Sequence, residues 1–290
     1  MSKKADLRRR VNALEEIKGI MTAMKNLSLL EISKLNRLAA AQRQTAMGVE
    51  EAVSDFLSFH PFPVGAAPAE MTHRLYLLIG SERGFCGGFN ELVLNRLQLL
   101  LDGDHKGAEA TLMIVGSRLA SKIPADLRVG LSVPGPAAPE EVPETITEAA
   151  QYLGNMQEKL PALDPQLLTI IHNRESGGIV ECCVVEPFAR FVRAETRRYP
   201  DPPMLQIASR DLLAWLADHY LLAALYDIFY SSLIAEHRQR VRHMENAISH
   251  LEKAVTRLAH RVNLLRQEEI TEELEVIMLS AMEPEANPQF

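Results

Sequence analysis

The stretch VRHMENAISHLEKAVTRLAHRVNLL, residues 241–265, decides the architecture of this chain. Val241, Met244, Ile248, Leu251, Val255, Leu258, Val262 and Leu265 follow one another at spacings of 3, 4, 3, 4, 3, 4 and 3. That alternation averages 3.5 residues, so the eight side chains share one seam of a helix that winds around a partner helix. The seam lies within eighty residues between Pro203 and Pro284 that contain neither Gly nor Pro. At 1.5 Å per residue such a helix would reach roughly 120 Å, several times the width of an ordinary domain.

The partner is expected at the other chain end. Residues 1–60 hold no Pro, and Gly19 and Gly48 are their only glycines. Leu7, Val11, Leu14, Ile17, Met21, Met24, Leu27, Ile32, Leu35 and Leu38 form an apolar stripe at mainly helical spacing. Ile20 and Leu30 widen it, and Lys18, Lys25 and Ser28 interrupt its narrow seam. Gly19 costs up to about 1 kcal/mol against Ala inside a helix, so it is expected to mark close packing or a slight bend. Two terminal helices that each need a partner pair most simply antiparallel.

Charge is divided along the chain. The formal net charge is −7, yet residues 1–45 carry ten Lys/Arg against four Asp/Glu and residues 236–266 carry seven against three. Both helices are basic, and the rest is strongly acidic. Few aromatic residues argue against a base-stacking nucleic-acid platform, so no nucleic acid is expected and acidic protein surfaces are. The basic start MSKKADLRRRVNALEEIKG lacks an apolar core, so no secretory signal is expected. No membrane span is expected either, since Asp227 interrupts LLAALYDIFYSSLIA. Cys86, Cys182 and Cys183 offer neither metal-ligand spacing nor a disulfide framework, and no metal or cofactor is expected.

The middle reads differently. His60-Pro61-Phe62-Pro63 with Gly65 and Pro68 ends the first helix. Residues 74–79 (RLYLLI) read as a buried strand, and the turn SERGFCGGFN leads into a helix over 91–101 with Asn90 as its expected N-cap. Strands follow at 111–115 and 127–133, with a short helix at 117–122 and a longer one at 139–160. Strands at 167–172 and 179–185, joined through Ser176-Gly177-Gly178, read as an antiparallel hairpin. The fold class is therefore α/β: a Rossmann-like domain with a mostly parallel sheet, plus a long antiparallel coiled coil of the terminal helices. The expected boundaries are helix 1–60, linker 61–73, α/β domain 74–190, linker 191–203, helix 204–283 and tail 284–290.

The turn at 81–90 follows a strand and opens a helix, which invites a phosphate-binding reading. It lacks the Lys-Ser/Thr of a P-loop and the spacing of a dinucleotide fingerprint. Cys86 at a helix start could be a nucleophile, although nothing in the sequence supplies its base. The plainer reading gives Gly84, Gly87 and Gly88 unusual backbone angles at a tight strand–helix turn.

Three patches in the right order then carry a resemblance. SERGFCGGFN is similar to the S-D-R-G-L-C-G-G-L-N signature of the gamma subunit of F-type ATP synthases, with Glu82 for Asp and Phe85 and Phe89 for leucines. Ile20-Met21-Thr22-Ala23-Met24-Lys25 resembles that family's I-T-K-A-M-K. Asn263 to Gln267, followed by Ile270 to Leu274, resembles N-x-x-R-Q-x-x-I-T-x-E-L, and Glu236, Arg240, Met244, Asn246 and Ala247 match the same helix.

The resemblance implies a non-catalytic central shaft. One copy per complex would turn inside a ring of alpha and beta subunits, with its foot on epsilon and the c-ring. It would be peripheral to the cell membrane, on the cytoplasmic face. By the same resemblance Arg266, Gln267 and Thr271 belong to a polar catch against a beta subunit, with Arg240 and Glu273 in support and Met24 near the acidic beta lever. Arg257 and Arg261 add to a basic face suited to acidic loops, and Ile277, Met278, Leu279 and Met282 form an apolar tip suited to a bearing. Ala13-Leu14-Glu15-Glu16 departs from the usual Lys- and Asn-containing run. That departure points to a divergent branch, with proton and sodium both open as coupling ion. Two other classes stay in view: a coiled-coil tether, and a nucleotide- or thiol-dependent enzyme on the middle domain.

Overall fold

The computed structural model describes residues 3–60, 73–103, 109–159, 168–189, 191, 201–202 and 204–282. The expected linkers and tail fall mostly outside them. Helix α1 runs Lys3–Phe59 and helix α5 runs Ser209–Met282. Between them lie β1 (His73–Ile79), α2 (Phe89–Asp102), β2 (Glu109–Val115), α3 (Ser117–Ala120), β3 (Arg128–Val133), α4 (Val142–Lys159), β4 (Leu168–Ser176) and β5 (Ile179–Val185). A 3-10 turn at Pro139–Glu141 precedes α4, where the sequence pattern predicts one helix from Pro139. The chain divides into two compact units, one of Met1–Leu27 with Arg242–Phe290 and one of Ser28–Val241.

In the larger unit the five strands order as β3-β2-β1-β4-β5. β1 pairs parallel with β2 and β4, and β2 pairs parallel with β3. β5 returns antiparallel along β4, with His172 opposite Cys183. Both faces of the sheet are covered, which is why its strands read as near-continuous apolar runs. Leu75, Leu77, Ile79, Met113, Val115 and Ile170 share a cluster with Val142, Ile146 and Ala149 of α4, Leu35 of α1, and Leu225, Phe229 and Leu233 of α5. The alternate residues Tyr76, Leu78, Leu112, Ile114 and Ile171 meet Val93, Leu97 and Leu100 of α2 and Leu119 of α3. Tight spots are met by glycine. Register between β2 and β3 shifts at Gly130, where an added Cβ would stand 2.0 Å from the Tyr152 hydroxyl.

By length and composition α5 contains a window apolar enough to cross a membrane. Leu216 and Tyr220 instead join Val53, Phe56 and Leu57 of α1 in an apolar cluster, and Leu225, Ile228 and Phe229 lie under the sheet. Apolar runs of this kind are what a core helix needs.

In the smaller unit the two terminal segments run antiparallel, since Lys4 pairs with Glu269, Lys18 with Glu252 at 3.9 Å and Lys25 with Glu245 at 3.8 Å. On the C-terminal segment, Met244 and Val262 are buried and Ile248, Leu251, Val255, Leu258 and Leu265 half-buried. On the N-terminal segment the half-buried positions are Lys4, Leu7, Val11, Leu14, Lys18, Met21, Thr22, Met24 and Lys25, at steps of 3 and 4 as far as Met21. Ile17, Ile20 and Leu27 are exposed. The roles expected from sequence are thus exchanged: Lys18 and Lys25 are half-buried, and Ile17 and Leu27 are not. Long lysine stems cover apolar surface while their ammonium groups reach acidic partners. Gly19 marks no close packing, for an added Cβ would meet nothing within 4 Å.

Candidate functional site

The turn between β1 and α2 is built from the end of the sheet. Leu78 pairs with Ile171, so Ser81 and Asn173 emerge near the carboxyl ends of neighbouring strands. Strand connections diverge to opposite sides there, the place where open α/β sheets receive ligands. Side chains of this chain fill that place. Asn90 Oδ1 accepts from Ser81 N–H at 2.9 Å and Asn90 Nδ2 donates to Ser81 Oγ at 2.9 Å. Asn173 Nδ2 donates to the Phe89 carbonyl at 2.7 Å. Asn90 is therefore not the N-cap expected from sequence. Gly88 holds the cap position, and the Asn90 amide is turned inward because Ser81 satisfies it on both sides.

Glu82 ties the next layer. Its carboxylate accepts from Ser117 N–H, Ser117 Oγ and Gly135 N–H, each at 2.8 Å. Burial pushes its carboxyl up, but the backbone donors of Ser117 and Gly135, the Ser117 hydroxyl and Arg118 outweigh burial and hold it below the usual range. Positive φ falls at Gly87 (55°) and at Phe85 (65°), the latter the one non-glycine case among the described residues. Gly84 and Gly88 have open space where a side chain would go.

Beneath the turn lies a cluster that the sequence alone does not assemble. Arg240 of α5 donates Nε–H to the Gly84 carbonyl at 3.3 Å and Nη2–H to Cys86 Sγ at 3.3 Å, and pairs with Glu236 one helical turn earlier. The third guanidinium nitrogen, Nη1, meets His237 Nδ1 at 3.0 Å. Arginine only donates, so Nδ1 is the acceptor and the His237 proton sits on Nε2. That Nε2 is buried without a partner among the described residues. Cys86, Glu236, His237 and Arg240 are each 4 or 5% exposed. The available signal is the run Glu236-His237-x-x-Arg240 set among buried positions.

Burial dominates the electrostatics of this cluster. It pushes Cys86 up to about 12, with Glu236 adding to the rise and Arg240 opposing it. It pushes Glu236 up to about 7 against the pull of Arg240 and Cys86. It drives His237 down to about 3, helped by Arg240 and Arg83. The thiol is thus kept protonated, donating toward the carbonyls of Arg83 and Gly84 at 3.3 and 3.4 Å. A nucleophile needs the thiolate, so the chemistry offered is fastening. Among the described residues no group of three or more His, Cys, Asp or Glu is placed to hold a metal ion.

The remaining residues singled out from sequence lie in the smaller unit. Arg266, Gln267, Thr271 and Glu273 are exposed on α5, with Thr271 Oγ1 bonded back to the Gln267 carbonyl at 2.9 Å, and Met24 on α1 is half-buried. Spacing of three, four or seven residues brings Arg266 and Glu273 to one side of the helix and Gln267 and Thr271 to the next. Arg240 belongs to the larger unit and is buried.

A family model described as ATP synthase matches residues 3–282. The chain is 26% identical to the ATP synthase gamma chain of Pelotomaculum thermopropionicum, over 94% of this chain and 96% of that one. It is 22% identical to the mitochondrial ATP synthase subunit gamma of Yarrowia lipolytica, over 95% of this chain and 90% of the relative. In fold it is similar to a chain of the Euglena gracilis mitochondrial ATP synthase in a structure of OSCP, F1 and c-ring, with a TM-score of 0.58, 15% identity and coverage of 99% and 97%. A chain from the central stalk and c-ring of the Tetrahymena thermophila mitochondrial enzyme gives a TM-score of 0.54 at 17% identity, covering 79% of this chain and 99% of that one.

Proposed function

The chain belongs to the ATP synthase family as a gamma subunit, and from that premise we infer that its terminal helices form an antiparallel coiled coil acting as the shaft of a rotary enzyme. Its partners are the alpha and beta subunits around the coil, and epsilon and the c-ring at the α/β domain. Through them the chain is peripheral to the cell membrane, on the cytoplasmic face. It makes and breaks no bonds itself; beta subunits do the chemistry.

The observation that carries this reading is the family match over residues 3–282, nearly the whole chain. The seam supports it, because apolar positions at coiled-coil spacing are joined by three inter-segment ion pairs that favour one register. A shaft acts on its ring only through contacts that differ between states. Exposed Arg266, Gln267, Thr271 and Glu273 are suited to such contacts, since surface polar pairs are weak enough to exchange at each step. Met24 lies against the beta lever in this assignment. Arg240 is a separate case, its guanidinium being engaged by the turn.

Co-expression with the alpha and beta chains encoded by the same organism tests the reading. The expected result is a complex in which this chain co-purifies and ATP hydrolysis depends on it, with no hydrolysis by the chain alone. Recovery of a stable coiled-coil protein that never associates with alpha and beta would favour a tether instead.

A further inference from the structure

Helix α5 is joined to the turn after β1 by directional bonds as well as by packing. Close packing of Leu225, Phe229 and Leu233 resists both separation and twisting of the helix, and directional bonds add lines of fixed geometry to that resistance. A guanidinium is a rigid planar fork whose donors point along fixed lines. At Arg240 those lines end on the Gly84 carbonyl, Cys86 Sγ, Glu236 and His237 Nδ1. The turn is also held in an unusual shape, since Phe85 has φ 65° although it is not glycine. A non-glycine residue stays there only when its surroundings over-determine it. Cys86, bonded to the carbonyls of Arg83 and Gly84 and accepting from Arg240, supplies that constraint.

We propose that Arg240 is a positioning residue that fastens the β1–α2 turn to α5, so that turning force passes between the α/β domain and the helix through this fastening. Glu236 aims the guanidinium, His237 accepts its remaining edge and Cys86 receives it on the turn. The proposal rests on the gamma-subunit reading above and assigns to Arg240 a task inside the chain, separate from any contact with beta.

The test uses the assembled enzyme in membrane vesicles, with Cys182→Ser and Cys183→Ser so that Cys86 is the one thiol of this chain. Arg240→Met and Arg240→Lys are compared by the rate of Cys86 alkylation with iodoacetamide and by ions moved per ATP hydrolysed, read for protons and for sodium. Arg240→Met is expected to expose Cys86 and speed its alkylation by about ten-fold, compared at equal thiolate fraction because the lost cation also disfavours the thiolate, and to lower the ions moved per ATP. Arg240→Lys, which keeps a donor, is expected to recover part of both. Unchanged ions per ATP alongside an exposed Cys86 would overturn the proposal, as would a Cys86 that stays protected. If Arg240→Met does not assemble, Glu236→Gln replaces it, and the same two readouts support or overturn the proposal in the same way. Failure of the unmutated chain to assemble with alpha and beta would instead remove the gamma reading.

Discussion

Lys25 and Glu245 meet at 3.8 Å across the two terminal segments, with only 26% of the Lys25 side chain exposed. A charge half-buried between paired helices costs stability and selects register. The lysine stem still covers apolar surface, which keeps that cost small.

Removing the charge should therefore separate the two effects. Lys25→Met is expected to leave stability unchanged or raise it slightly, whereas Lys25→Glu should lower it by about 1 kcal/mol by facing Glu245 with a like charge. A double-mutant cycle on Lys25 and Glu245 should give a coupling of about 0.5 kcal/mol that fades in 1 M salt, where the screening length is about 3 Å. Zero coupling at low salt would mean the pair is not formed in solution.

Gly19 offers a clean gain. It sits inside α1 with nothing within 4 Å of an added Cβ. Gly19→Ala should raise stability by up to about 1 kcal/mol, seen as a higher denaturation midpoint with an unchanged slope. A loss would show that the helix bends or packs at this point.

Acid should act on two histidines and one glutamate with opposite signs. Burial lowers His172 to about 4, although the Asn173 carbonyl pulls the other way, and lowers His237 to about 3. A histidine held neutral contributes stability that is full above its unfolded value near 6.5 and lost as pH falls toward the folded value. For His172 that loss is about 2 kcal/mol by pH 5. Glu236, raised to about 7, does the reverse: its contribution is present below about 4.5 and lost as pH rises through about 7. Denaturant unfolding between pH 7.5 and 5 should show His172→Gln less sensitive to acid than the parent and Glu236→Gln more sensitive. The opposite order would contradict the burial of these groups.

The exposed set on α5 should behave as a contact and not as a core. Arg266→Glu with Gln267→Leu is expected to change the stability of the chain by less than about 0.5 kcal/mol. The same double variant should lower ATP turnover of the assembled enzyme. Normal coupled turnover would remove both residues from the catch.

Much of the fold is legible in the sequence because periodicity is local. The seam from Val241 to Leu265, the strand RLYLLI and the hairpin through Gly177 are each read from a few neighbouring residues. Lys18 and Lys25 mislead for the same reason. On one helix a lysine in an apolar stripe looks like an interruption, and only Glu252 and Glu245 on the other segment give it a partner. Asn90 likewise fits an N-cap by spacing, yet Ser81 across the turn claims its amide.

What the sequence by itself determined is the inventory: two long helices needing partners, a parallel sheet between them, and three patches that resemble a rotor subunit. Tertiary structure alone decided that Arg240 faces Gly84 and Cys86, 156 and 154 residues away along the chain. The physical reason is that a helix period states which side a residue occupies but not what stands opposite. A buried guanidinium takes its meaning from the acceptors that the fold brings to it.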